Sequence, residues 1–525
     1  MGDFRVIEPK VSVIGFGPNM ILEDGTIVTP DDFVYGAANI TYRDTGALRE
    51  LIESKRTNPD FTEEKVRKGL IKVAGAGHAS MATTPGFWTF LEGDSSKLVD
   101  STFTGAVFSS SLMPSGRRIQ ITPEAVLVPK GIAEAGVEAV EMYLDVSRAN
   151  IQTYEQLQAM GMSKQEASKC VQYGHRGGGF MFMPLETFIY FSKLAERNPE
   201  AMPREGLEII SQIEGFIHKN SGAKTCYEAR RNSPRNGNPN PNIFHFRKNL
   251  AQELWEKGYG SGGPQILSAF DLGSSERKER IEEYLRLRDS LVRSSSELKK
   301  GWRGALGMLE DIATDFDPSV GVEIFTRTSW RVNGEVKRHR TMPQIGESIY
   351  NAVGRAEEFV GDEENLAEVF SMPNFVRENE EAYKMWVWAF DRSLGAYSDL
   401  LDLGVMERDA IAVVPRGVKL GVFKHKGLYN LTAGYDSLRL CKTAEPEMRK
   451  LTEAETRAVK MDNRIGSDVK SLLGPKCYAT GFCPETVFGK SCQKVLAVNQ
   501  GYDIDFHDRF MDERGSYIAE QLDEY

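Results

Sequence analysis

The stretch T-Y-E-Q-L-Q-A-M-G at 153–161 returns as A-Y-S-D-L-L-D-L-G at 396–404, and this recurrence decides how the chain is organised. Tyr154 and Tyr397, Gly161 and Gly404, Ala167 and Ala410, and Gly174 and Gly417 all stand 243 positions apart. So do Ala201 and Ala444, and Pro203 and Pro446, at the ends of A-M-P at 201–203 and A-E-P at 444–446. Each match alone is trivial; a shared offset across all of them is the mark of an internal repeat. Upstream, Leu112-Met113-Pro114 answers to Thr341-Met342-Pro343 at an offset of 229, which implies a 14-residue insertion in the second copy, placed in the acidic stretch 357–365.

Working outward, residues 1–215 form the first copy and 276–460 the second, with 216–275 as a linker and 461–525 as a tail carrying three of the six cysteines. Residues 232–242 are rich in Asn, Pro and Gly, so they form an exposed loop, and 258–263 make a second break. Ile281, Tyr284, Leu285, Leu291 and Val292 have helical spacing, so an amphipathic helix opens the second copy. Val320, Val322, Ile324 and Thr326 alternate as in a strand, followed by a turn at Asn333-Gly334. The fold class is therefore α+β: two tandem copies of one mixed domain in a pseudo-dimeric chain.

The whole has 525 residues, too many for one core. With 41% hydrophobic and 27% charged residues it is neither collagen-like nor wholly disordered. Its net charge of −10 argues against a protein built mainly to neutralise nucleic-acid phosphates. Six dispersed cysteines fit a reducing cytoplasm, no apolar run is long enough for a bilayer, and charges at Asp3 and Arg5 stand where a signal peptide needs apolar residues.

The densest chemical signal is Arg338-His339-Arg340 followed after seven residues by Ser348. Successive cationic side chains make an anion-binding surface, and arginines on both sides favour the neutral imidazole, a hydrogen-bond partner for a ring or phosphate. A solvated basic strand has the same composition.

R-H-R-x7-S resembles the signature of the flavin-dependent thymidylate synthases (ThyX). Gly77-His78-Ala79-Ser80 and F-W-T-F-L-E-G at 87–93 are similar to that family's G-H-x-S and F-T-F-x-I-E-G pieces. Leu438-Arg439-Leu440 with A-E-P-E-M-R at 444–449 is similar to its close. The resemblance implies FAD held by Arg338, His339 and Arg340, with His78 and Ser80 also on the cofactor. It implies Ser348 and Arg439 as the catalytic pair, Ser348 facing a dUMP-like nucleotide and Arg439 orienting the pyrimidine, with Tyr350 and Asn430 also on the substrate, and NADPH and methylenetetrahydrofolate as co-substrates. The family forms homotetramers with sites between subunits, so a homodimer of this chain would make a pseudo-tetramer.

Departures are equally legible. Tyr350 and Ile411 stand where the family has phosphate-binding arginines, and Asn430 is the nearest remnant of its asparagine-rich stretch. The first copy has Ser109-Ser110-Ser111 in place of R-H-R and Thr83-Thr84 in place of E-H. Two lost charge-assisted bonds cost about 1.5–3 kcal/mol each, so Arg117 or Arg118 takes the phosphate, or the substrate differs. A different pyrimidine nucleotide, or a non-catalytic descendant that binds a nucleotide or partner, is the competing reading.

Other signals are weaker. V-S-V-I-G-F-G-P at 11–18 imitates a dinucleotide fingerprint without its third glycine. His175-Arg176-Gly177-Gly178-Gly179 reads as a flexible surface loop, and Lys424-His425-Lys426 as a solvated turn. Cys477, Cys483, Cys492 and His507 could supply zinc ligands but lack close C-x2-4-C spacing. Met181 and Met183 alternate with Phe180 and Phe182 as a core strand.

Overall fold

A computed structural model describes residues 4–40, 47–114, 119–235, 240–292, 295–441 and 443–476. The chain forms two compact units, each discontinuous: Met1–Arg247 with Ser329–Arg340 and Ser348–Val418, and Lys248–Thr328 with Thr341–Glu347 and the residues from Lys419 on. The R-H-R-x7-S segment is thus divided, its two ends in the first unit and the intervening residues in the second.

In the first unit, β1 (Glu8–Gly17), β2 (Gly86–Asp94), β3 (Ser110–Leu112) and β4 (Gly179–Pro184) build a sheet of order β1-β2-β4-β3. Alternation assigns the faces. Phe87, Leu91, Met181 and Met183 point into a core with Phe188 and Ile189 of the Leu185–Arg197 helix and Ile209, Ile210 and Ile213 of the Arg204–Asn220 helix. Each such side chain, fully buried, stabilises by about 1.5–3 kcal/mol. On the other face Trp88 opposes Phe182 and Phe90 opposes Phe180, with ring centroids 4.9 and 6.1 Å apart.

The same unit holds two helices of 23 residues, Val137–Ala159 and Glu380–Asp402, whose ends are both 243 positions apart. Asn150 Nδ2 donates to Ser393 Oγ at 2.8 Å, between residues that are themselves 243 apart. Arg392 reinforces the pair by donating to Asn150 Oδ1 (2.7 Å) and Thr153 Oγ1 (2.8 Å). The short helices Lys164–Ala167 and Glu407–Ala410 keep the same spacing, and Gln172 bridges to Pro415 in antiparallel fashion.

In the second unit, β5 (Gln265–Asp271), β6 (Val320–Ser329), β7 (Gln344–Gly346) and β8 (Lys419–Gly427) form a sheet of order β5-β6-β8-β7, the same order by sequence rank as in the first. Val320, Val322 and Ile324 pack with Leu428 and Leu431 of the Leu428–Thr432 helix and Val459 of the Pro446–Met461 helix. In both units the last strand runs directly into a helix, at Leu185 and at Leu428.

Several expectations need correction. Residues 216–275 are no linker: the Lys224–Arg231 helix puts Cys226 and Tyr227 into the first core, the Leu250–Glu256 helix packs Ala251, Leu254 and Trp255 on Phe325, and β5 pairs with β6. The breaker residues mark one loop inside that stretch rather than its whole length. The tail begins as structure too, since Val469 and Leu473 enter the second core and Arg277 Nε donates to Asp468 Oδ2 at 3.0 Å. Cys477, Cys483, Cys492 and His507, and likewise Arg117 and Arg118, lie outside the described residues.

Asn333 and Gly334 are not a turn. Ser329 Oγ accepts the Val332 N–H at 3.2 Å, and this cap starts the Trp330–Val336 helix that contains them. The stretch 175–179 is pinned rather than free: Gly177 N–H donates to the Ser95 carbonyl at 2.7 Å, and a Cβ there would lie 2.5 Å from the Ser96 carbonyl oxygen. The fingerprint-like segment is strand β1, antiparallel to β2, not the start of a parallel βαβ unit. Among the described residues no helix is long and apolar enough to cross a membrane.

Candidate functional site

Arg338, His339 and Arg340 leave the end of the Trp330–Val336 helix, where Arg338 N–H and His339 N–H still donate to the Glu335 and Val336 carbonyls. Cations are favoured at a helix C-terminus. The segment is anchored by the residue before it. Lys337 is buried, and its Nζ donates to the carbonyls of Asp100 (2.6 Å) and Ser101 (2.8 Å) in the Leu98–Phe103 helix. A side chain at Gly105 would bring a Cβ to 3.0 Å from Lys337 Cδ, so the glycine makes room for the lysine stem. Burial pulls the Lys337 pKa down to about 7, against the pull of Asp100 and with the help of Arg338.

Above that anchor Arg338 is 41% exposed, and its Nη2 lies 3.5 Å from Asp100 Oδ2. Asp100 is better engaged by Lys97 Nζ at 2.7 Å. Arg340 is half-buried, with Nε donating to the Ala106 carbonyl at 2.9 Å; burial and Arg338 lower its pKa. Lys97 and Arg338 thus share the one Asp100 carboxylate, Lys337 is held on the backbone carbonyls of the same helix, and Arg340 stands within reach of Arg338, an arrangement with surplus positive charge suited to an anion. The Trp330 indole donates to Ser101 Oγ at 3.1 Å and fixes the same helix from the other end of its turn.

The other residues singled out by motif have different surroundings. Ser348 is fully enclosed, with its hydroxyl donating to the His245 carbonyl. Tyr350 is buried against Phe246 (4.8 Å between centroids), donates to the Ala201 carbonyl at 2.5 Å, and has its pKa raised by burial. Ile411 is fully buried. Asn430, in the second unit, is occupied with Thr341: its Nδ2 donates to the Thr341 carbonyl at 3.0 Å and its Oδ1 accepts the Thr341 hydroxyl at 3.1 Å. Asn430 thus secures the residue that follows Arg340. Arg439 ends the Tyr435–Arg439 helix and is partly exposed. His78 and Ser80 are exposed at the start of the short Ala79–Thr83 helix, where His78 makes no side-chain cap bond.

Sequence reasoning missed Lys97, Asp100 and Lys337; the basic run K-R-H-R at 337–340 was the available signal for the last. It also misread Lys424 and Lys426. Both lie in β8, not in a turn, and both are buried. Lys424 Nζ donates to Glu455 Oε1; Lys426 Nζ donates to Asp436 Oδ1 (2.5 Å) and Glu455 Oε2 (2.6 Å). The Tyr435 ring centroid lies 5.6 and 4.8 Å from the two ammonium groups. Burial raises the Asp436 pKa to about 6, opposed by Lys426. Their period-two placement beside buried Leu420 and Val422 was the signal that they face inward.

No protein-family model matches the chain. Over 125 residues, 24% of its length, it is 30% identical to the flavin-dependent thymidylate synthase of Pyrococcus furiosus. Identity is 28% over 125 residues to that of Pyrococcus abyssi and 25% over 122 residues to that of Thermococcus onnurineus. These matches take in 51%, 51% and 49% of the relatives, so the chain spans about half the length of the curated relatives it matches. Among solved structures, the UMP/dUMP methylase PolB from Streptomyces cacaoi bound with 5-Br dUMP aligns with a TM-score of 0.33 and 12% identity, over 45% of this chain and all of that one. ThyX from Helicobacter pylori, complexed with FAD and dUMP, aligns at 0.28 and 15%, over 40% and 97%. Overlaps this loose carry no structural argument, and the likeness rests on sequence. By sequence, this chain is similar to the flavin-dependent thymidylate synthases.

Proposed function

We propose that the chain is a duplicated, diverged flavoenzyme of the thymidylate synthase type. Its reaction would be reductive one-carbon transfer from methylenetetrahydrofolate to C5 of dUMP, with FAD as cofactor and NADPH as reductant. The observation that carries this reading is the Arg338-His339-Arg340 segment, matched in spacing to the family signature and seated on buried Lys337 with surplus positive charge around Asp100. Such a surface fits the phosphates or electron-rich ring edge of a flavin dinucleotide. The flavin supplies the redox chemistry; the protein binds, orients and excludes water.

In this reading Arg338, His339 and Arg340 hold FAD, with His78 and Ser80 as further cofactor contacts, and Arg439 orients the pyrimidine. Ser348, Tyr350 and Asn430 complete the nucleotide side of this reading, the Ser348 and Tyr350 hydroxyls being held by the His245 and Ala201 carbonyls. Duplication is supported by the 243-residue spacing of the helix ends and by the equal strand order of the two sheets. A cytoplasmic homodimer forming a pseudo-tetramer completes the proposal. The test is flavin content: Arg338→Ala and Arg340→Ala should purify with little flavin, and full occupancy in both overturns the assignment.

The enclosure of Ser348, Tyr350 and Ile411 favours one second reading, a changed pyrimidine nucleotide or a binding protein without turnover. A colourless protein that binds dUMP, or a yellow one that does not release tritium from C5-labelled dUMP, selects it.

A further inference from the structure

Four ionisable side chains in the second unit are removed from water together: Lys424 and Lys426 on β8, Asp436 on the Tyr435–Arg439 helix and Glu455 on the Pro446–Met461 helix, each at most 2% exposed. Two cations meet two anions, so the cluster is neutral when all are ionised. The first unit contains its own control. Positions 243 earlier, on the strand that likewise runs directly into a helix, carry Met181 and Met183, and these pack in one apolar cluster with Ile209, Ile210 and Ile213. A sheet of the same strand order is therefore built with methionines where this one has lysines. Buried ion pairs pay a desolvation cost that well-packed apolar residues avoid, so folding alone does not require them here.

What the charges add is direction. Apolar contacts let a short helix slide or rotate, whereas Lys426 fixes Asp436 by one oriented bond, and Glu455 ties that lysine to Lys424. The helix so held has five residues, and Arg439 lies three positions after Asp436, on the neighbouring part of the same surface. Asp436 Oδ2 is buried without a hydrogen-bond partner among the described residues, so the carboxylate has a single anchoring oxygen.

We infer that Lys424, Lys426, Asp436 and Glu455 are positioning residues, which hold the Tyr435–Arg439 helix in register and thereby aim the Arg439 guanidinium at the nucleotide. The aim at a nucleotide rests on the proposed function; the clamp on the helix does not. The test replaces the cluster by apolar residues of similar length, Lys424→Met, Lys426→Met, Asp436→Leu and Glu455→Met together, in the full chain. Thermal unfolding, hydrogen exchange of a peptide covering 435–441, flavin content and dUMP affinity by calorimetry are then compared with the parent.

The expected result is an unchanged or higher melting temperature, unchanged flavin content, exchange at 435–441 faster by about tenfold or more, and dUMP bound about tenfold more weakly. Asp436→Asn alone, which leaves the lysine–Glu455 contacts, should loosen the same peptide to a smaller degree. Parental exchange and affinity in the fourfold variant overturn the inference, and so does a fourfold variant that fails to fold, because the charges would then serve stability. Should the parent itself not bind dUMP, the proposed function fails, while the exchange comparison still decides whether the cluster clamps the helix.

Discussion

Glu205 offers a quantitative test of the platform beneath the cationic segment. It lies at the start of the Arg204–Asn220 helix, is almost wholly buried, and accepts the Ser95 hydroxyl at 2.6 Å and the Ser96 N–H at 2.7 Å through Oε1. The Ser96 hydroxyl reaches Oε2. These serines lead into Lys97 and the Leu98–Phe103 helix on which Lys337 is anchored. Burial outweighs the three hydrogen bonds and lifts the Glu205 pKa from 4.5 to about 7.

Because the folded value is the higher one, the folded chain binds the proton more tightly, and stability falls as pH rises from 4.5 through about 7. At about 1.4 kcal/mol per unit the loss amounts to about 3 kcal/mol between pH 4.5 and 8. Glu205→Gln, isosteric and uncharged, should remove that loss. Urea unfolding of parent and variant, read by hydrogen exchange in peptides from residues 204–220, should give a difference between the two that changes by about 3 kcal/mol across this range. Parallel stability profiles would refute the buried, shifted carboxylate.

Other predictions concern the site itself. Lys337 has a folded pKa of about 7, below its ordinary 10.5, so the folded chain holds fewer protons in that window and stability falls as pH drops from 10.5 to 7. Lys337→Met should erase that slope, as denaturation at pH 7 and 9.5 will show. Tyr350→Arg restores the family's arginine in sequence but buries an unpaired charge beside Phe244 and Phe246. It should destabilise by about 3–5 kcal/mol without strengthening dUMP binding, as measured by melting and calorimetry. Asn430→Ala frees Thr341 from its two hydrogen bonds and should raise exchange at 341–347 while leaving global stability within about 2 kcal/mol of the parent.

How far the sequence carried the reading depended on periodicity. The strand at Val320–Ser329, the helix from Ser275 and the inward methionines of β4 all followed from apolar spacing, which burial then enforces. Composition misled where polar residues are buried. Lys424-His425-Lys426 looks solvated because two lysines rarely enter a core, and only Asp436 and Glu455, distant in sequence, reveal the compensation. Breaker residues at 232–242 suggested a long linker, but nonlocal packing of Tyr227 and Trp255 organises both flanks. Asn333-Gly334 resembled a hairpin turn because local propensity was read without the Ser329 cap. At the site, the R-H-R segment was legible as a motif, whereas its Lys337 anchor and the enclosure of Ser348 depend on partners at Asp100, Ser101 and His245 that no spacing rule connects.

The proposed function stands or falls on whether the Arg338-His339-Arg340 segment holds a flavin. The most direct measurement is a visible absorbance spectrum of the purified full chain, before and after anaerobic NADPH, with flavin counted per chain. The expected result is a yellow protein with about one flavin per chain, bleached by NADPH, and loss of the colour in Arg338→Ala and Arg340→Ala. A colourless chain that takes up no flavin on incubation with free FAD would contradict it.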